Sequence, residues 1–130
     1  MKPITFHPDS DAEITEAARY YESRQPGLGS DLLGEVEQAL DQILSNPEAS
    51  QRIGRRVRRK LLWRFPDNLI YAGYEDSIRI VAFAHQKRRP FYWRKRLRYA
   101  PEQETQQNRE PDKPHTWGAM KAGRTAALAG

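Results

Sequence analysis

The chain contains no cysteine. Disulfides, thiolate zinc sites and cysteine nucleophiles are therefore excluded, and the absence fits a reducing, cytoplasmic setting. Long apolar runs are missing as well. No stretch approaches the roughly 20 residues of a membrane helix, so no membrane partner is expected. No apolar run follows basic residues near the N-terminus, so no signal peptide is expected. Histidine is scarce, and His7, His85 and His115 are isolated from one another, without the close spacing of metal ligands. There is no phosphate-binding glycine loop and no Ser/His/Asp set. No metal and no cofactor is expected.

What the chain does have is charge, unevenly placed. Residues 1–50 hold ten acidic and three basic residues, a net of −7, while residues 51–100 hold fifteen basic and three acidic, a net of +12. An acidic scaffold with a basic working surface follows from this asymmetry, and such a surface attracts nucleic acid or an acidic protein. At 130 residues the chain is one domain with room for a real core and a tail. The domain is expected over residues 1–99. Residues 100–130 read as a flexible tail, rich in Gln, Glu, Asn and Pro as far as Pro114 and too poor in apolar groups to bury.

Pro3 to His7 alternates like a short edge strand that Pro8 ends. Ser10 and Glu13 have capping-box spacing, and Ile14, Ala17, Ala18 and Tyr21 follow at helical intervals, so a helix is expected from about residue 10 to residue 24. Pro26-Gly27-Leu28-Gly29 breaks it. Ser30 then caps a second helix, with Leu33, Val36, Leu40, Ile43 and Leu44 as its stripe and Asn46-Pro47 as its end. Three strands follow, Val57–Phe65, Leu69–Glu75 and Ile78–Ala84, split by Pro66-Asp67-Asn68 and Asp76-Ser77.

Side chains alternate across a strand, which assigns faces. Val57, Leu61, Trp63 and Phe65 share one parity with each other, as do Ile78, Ile80, Ala82 and Ala84. These form the expected core face, and the helical stripe of Leu33, Val36, Leu40 and Ile43 packs on it. The opposite face gathers Arg58, Lys60, Arg64, Arg79 and His85, with Val81 and Phe83 among them. The middle strand is apolar on both parities. Arg59 breaks the pattern of the first strand and suggests a bulge or a later start there. Tyr92 and Trp93 are expected to close the end of the core.

The order of edge strand, helical hairpin and three-stranded sheet resembles the RelE/ParE superfamily of bacterial toxins, the toxin halves of type II toxin–antitoxin pairs, once called plasmid stabilisation proteins. The matching features are Tyr20-Tyr21, Pro26-Gly27-Leu28-Gly29, Asn46-Pro47, Arg64-Phe65-Pro66 followed by Tyr71, and Ala84-His85 with Arg89-Pro90 and Tyr92-Trp93 behind it. They span residues 3–98. The resemblance implies an α+β fold: an N-terminal edge strand and an antiparallel helical hairpin packed on one face of a small antiparallel sheet. It also implies a cytoplasmic, growth-inhibiting protein whose partner is a cognate antitoxin. Its target is DNA gyrase for ParE-like members. For RelE-like members, which cut messenger RNA without metal, it is the ribosome and its mRNA. The long hairpin and the Phe-Pro-…-Tyr strand resemble the ParE-like branch more closely.

Metal-free RNA cleavage needs a base, an acid and cations that hold the phosphate. If the chain is a ribonuclease, His85 is the candidate base or acid, Arg64 and Arg79 the phosphate ligands, and Tyr92 the group completing the site. If it acts by binding, the target surface is expected from Arg58, Lys60, Arg64, Arg79, Arg88 and Arg89. A plain, non-toxic nucleic-acid-binding domain is the third reading. Exposed Val81 and Phe83 on that basic face would be where the antitoxin binds.

Overall fold

A computed structural model describes residues 2–98. The domain boundary at residue 99 and the tail of residues 100–130 lie outside the described residues. The elements are β1 (Ile4–Phe6), α1 (Pro8–Arg24), α2 (Leu28–Ser45), β2 (Gln51–Arg52), β3 (Val57–Leu61), β4 (Asp67–Gly73), β5 (Ile78–His85) and a 3₁₀ helix (Arg94–Arg98). The sheet order is β1-β5-β4-β3-β2. The β3-β4-β5 meander is antiparallel as expected, but β1 joins β5 in parallel. The sheet is therefore mixed: β5 comes to lie parallel to β1 only after the helical hairpin and strands β2 to β4.

Helix α1 starts two residues earlier than the Ser10 signal suggested. Pro8 opens it, and the Nδ1 of His7 accepts from the Asp9 N–H at 3.0 Å. Proline at the first helical position loses nothing, since that N–H has no partner inside the helix. Ser10 does not cap. It is fully buried, with its hydroxyl 2.7 Å from the His7 carbonyl and 3.2 Å from that of Ile80 on β5. Helix α2 is likewise capped by a residue other than Ser30. The Glu22 carboxylate accepts from Gly27 N–H at 2.9 Å and Gly29 N–H at 3.0 Å. Gly27 turns the chain at φ 90°, open to glycine at no steric cost. At Gly29 a Cβ would lie 2.5 Å from the Ala18 carbonyl oxygen, so this glycine lets the two helices touch.

The hairpin packs on the sheet through Ile14, Ala18, Leu32, Leu33, Val36, Ala39 and Ile43, which meet Leu62, Phe65, Leu69, Tyr71, Ile78, Ile80 and Phe83. Three expectations about the faces are corrected. First, Leu61 and Trp63 are exposed, 51% and 92%, whereas Leu62 and Phe65 are buried. Within β3 the parity is the reverse of that expected, with Val57 and Leu61 on the far face, and the strand ends at Leu61, so alternation no longer governs Trp63 and Phe65. Second, the irregularity lies not at Arg59 but in the β4–β5 pairing, where Ile70 faces Ala82 and Tyr71 faces Ile80. Val81 is the extra residue, and a bulge reverses the parity behind it. Val81 and Ala82 therefore share the far face, while Phe83 returns to the helix side. Third, Arg58 pairs with Tyr71 and Lys60 with Leu69, which puts these two cations on the helix side of the sheet. The Arg58 guanidinium passes the end of α2 and donates to the carbonyls of Glu48 and Ser50 at 3.0 and 2.8 Å.

The far face is not a bare basic surface either. The chain after β5 folds back over it, and Trp93 packs with Val57, Ile70, Ala72, Val81 and Ala82. Both faces of the sheet are thus covered, which explains why β4 is apolar on both parities.

Candidate functional site

The four candidate catalytic residues sit in four environments. His85 is exposed at the end of β5, and its Nδ1 accepts from the Lys87 N–H at 3.0 Å. Across the strand pair it faces Asp67, a buried carboxyl whose pKa burial pushes up, against the pull of the Tyr21 hydroxyl and the charge of His85. That hydroxyl donates to Asp67 Oδ2 at 2.6 Å and ties α1 to β4. Arg79 is 2% exposed, with its Nη1 3.4 Å from Thr5 Oγ1 on β1. It lies six residues before His85 on one strand, roughly 20 Å away at 3.3 Å per residue. Arg64 is turned toward α2, where its N–H donates to the Glu35 carboxylate at 3.0 Å and its Nη2 lies 3.6 Å from Asp31.

Tyr92 belongs to a latch centred on Glu13. The Glu13 carboxylate accepts from the Phe83 N–H at 3.1 Å, the Tyr92 hydroxyl at 2.7 Å, and Arg96 at 2.8 and 3.1 Å. Arg96 also donates to the Val81 carbonyl at 3.0 Å and lies 3.7 Å from Asp9. Burial, then the hydrogen bond and charge of Glu13, push the Tyr92 hydroxyl above its usual pKa. It stays a donor and is held by the fold. This latch fastens the segment after β5 to α1, and it was not legible in the sequence. Glu13 read as a capping residue, and its partners lie about 80 positions away.

The expected basic surface is therefore divided. Arg58 and Lys60 are at the end of α2. Arg64 borders a groove of about 990 Å³ between α2 and the β3–β4 connection, where Asp31, Glu35, Glu37 and Asp41 face Lys60, Leu61, Trp63 and Arg64. Arg88 and Arg89 are exposed beyond β5, with the Arg88 guanidinium 4.2 Å from the Tyr92 ring centre. Val81 and Phe83, expected to be exposed, are both buried. The bulge turns Phe83 into the helix-side core and the returning segment covers Val81. Among the described residues no cluster of three or more His, Asp or Glu could hold a metal ion. Nor is any helix there long and apolar enough to cross a membrane.

A helical hairpin packed on a mixed five-stranded sheet is the fold of the RelE/ParE-type toxins. The sequence profile of the ParE toxin of the type II toxin–antitoxin system parDE matches residues 4–90, and the chain belongs to that family. A solved structure from the chromosomal ParDE TA system of P. aeruginosa has a similar fold, with a TM-score of 0.51 and 18% sequence identity. The match covers 65% of this chain and 96% of that one. No curated protein matches the chain.

Proposed function

We propose that this protein is a cytoplasmic toxin that arrests growth by binding a macromolecular target rather than by cutting RNA, and that a cognate antitoxin neutralises it by direct contact. DNA gyrase is the target that the family resemblance implies. The observation carrying the reading is the dispersal of His85, Arg64, Arg79 and Tyr92. A base, an acid and a phosphate ligand must lie within hydrogen-bond reach of one scissile group. Here Arg79 is buried at the far end of the strand from His85, and Tyr92 is engaged by Glu13. Arg88 and Arg89 remain exposed for the target.

The antitoxin contact is assigned to the groove along α2. Trp63 is almost fully exposed beside half-exposed Leu61, and a lone indole next to a groove is the kind of anchor that dominates protein interfaces. The groove carries both charge signs on its walls, which favours a partner segment with complementary charges of its own. The deciding experiment is expression of single variants in growing cells, with cellular mRNA ends mapped and gyrase activity assayed alongside. His85→Ala should leave toxicity unchanged, and supercoiling should fall with wild type and variant alike. Codon-positioned mRNA cuts that vanish with His85→Ala would overturn the reading in favour of a RelE-like ribonuclease.

A further inference from the structure

A second cleft, of about 560 Å³, is not used by the proposed mode of action. It lies between the β2–β3 hairpin, the end of β4 and the loop that follows α2. Its walls carry Lys2, Arg52, Arg55, Arg56 and Arg58 against two carboxylates, Glu48 and Glu75. Among the described residues none of these arginines forms an ion pair. Arg52 stands directly opposite Arg58 across the strand pair. Like charges placed in this way destabilise a sheet, and neither glutamate closes on them.

The charges are also held in place. Arg52 bends over its own turn, donating from Nε to the Gly54 carbonyl at 3.2 Å and from Nη2 to that of Arg55 at 2.6 Å. The Val57 carbonyl accepts from the Ile53 N–H at 2.8 Å, and the Arg56 carbonyl accepts from the Gly73 N–H at 2.9 Å. The turn is thus tied to β4, and it presents Arg55 and Arg56, both exposed. The Arg56 guanidinium lies 4.9 Å from the Tyr74 ring centre. The Arg55 side chain makes no hydrogen bond, ion pair or ring contact among the described residues. Planar guanidinium groups on a fixed turn lose little freedom when they bind an anion.

We propose that this cleft and the tip of the β2–β3 hairpin bind the phosphate backbone of duplex DNA. Guanidinium groups match phosphate oxygens bidentately, and a cluster of them without carboxylate partners is the footprint of a polyanion site. A protein partner is matched less well. Interfaces between proteins are anchored by aromatic or apolar groups, and exposed Tyr20, Leu61, Trp63 and Phe91 all lie outside this cleft. A single strand is matched less well too, because it needs aromatic platforms for its bases. Of the two rings here, Tyr71 is buried and Tyr74 is already stacked with Arg56. Contact with backbone charge alone, without base stacking, suits a duplex. Arg88, Arg89 and the groove along α2 take no part, so the inference does not depend on the target or the antitoxin contact.

The test is fluorescence anisotropy with full-length protein over a range of salt concentrations. The labelled probes are a DNA duplex of about 20 base pairs, one of its single strands, and polyglutamate. The duplex should bind saturably at micromolar protein in low salt, more tightly than the other two. Arg55→Gln combined with Arg56→Gln should weaken duplex binding at least tenfold and make the salt slope shallower by about 2, with the melting temperature unchanged. Arg55→Gln alone should weaken it at least threefold, and it carries the test if the double variant is unstable. Arg19→Gln combined with Arg24→Gln removes the same charge from exposed positions on α1 and should change the affinity less than threefold. Four results would each overturn the proposal. The first is no duplex binding at about 100 μM protein in low salt. The second is wild-type affinity in the hairpin variants. The third is an equal loss in the α1 variant, which would reduce the binding to net charge. The fourth is tighter binding of the single strand or of polyglutamate, which would give the cleft to a different partner.

Discussion

The two faces of the sheet are both buried, but by different means. On the helix side, a broad layer of large aliphatic groups from α1 and α2 meets Leu69, Tyr71, Ile78 and Ile80. Its polar members are paired: Tyr21 with Asp67, and the Tyr71 hydroxyl with the Pro47 carbonyl at 2.6 Å. On the far side a smaller cluster closes under Trp93, and its cover is held to α1 by the Glu13 carboxylate. This side also carries the unpaired Asn68 and Arg59 atoms. One face supplies stability through area. The other is smaller, and its cover depends on a single ionic latch.

This contrast can be broken first on the helix side. Leu32→Ala removes a fully buried side chain and should destabilise by about 2–5 kcal/mol; chemical denaturation should show a lower midpoint with an unchanged slope. A loss under 1 kcal/mol would mean that the hairpin is not the main source of stability.

The far side should respond less. Glu13→Ala strips charged hydrogen bonds from Arg96 and Tyr92 and should cost about 1.5–3 kcal/mol. Trp93 fluorescence should shift to the red before helical circular dichroism is lost, since the cover detaches first. If both signals melt together in Glu13→Ala, the two faces form one cooperative unit.

A smaller effect should come from pH at the edge that joins the faces. His7 caps α1 as a neutral acceptor, and burial, then the charge of Arg79, lowers its pKa below the usual 6.5, against Asp9 and Glu13. A depressed folded pKa means that the unfolded chain binds the proton more tightly. The His7 contribution is therefore present above pH 6.5 and lost as the pH falls through the folded value. His7→Asn retains a capping side chain without the titration, and its stability between pH 7 and 5 should be flatter than that of wild type.

The smallest change in stability is expected where neither cover reaches. Trp63→Ala should alter the stability of the free protein by no more than about 0.5 kcal/mol, because the indole is solvated. Affinity for the antitoxin should nevertheless fall by about 2 kcal/mol or more, measured by calorimetry with the purified partner. Unchanged affinity would place the antitoxin elsewhere.

Local order was legible without the fold. Proline, glycine and β-branched residues act over a few positions, so the helical hairpin, its Pro26–Gly29 break and the three-strand meander could be read from residue spacing. So could the burial of Trp93, since a large aromatic ring behind a strand has few alternatives. Three decisions were tertiary. Parity along β5 reverses at Val81, because the β4 pairing accommodates an extra residue there; alternation within one strand carries no trace of its partner's register. The Glu13 latch joins groups about 80 positions apart, and a carboxylate near a helix start looks the same whether it caps that helix or pairs across the molecule. The seemingly single basic surface was divided because the hairpin and the returning segment each cover one face. Net charge is additive along a chain, but which cations share a solvent-facing patch is set only by what packs over the sheet.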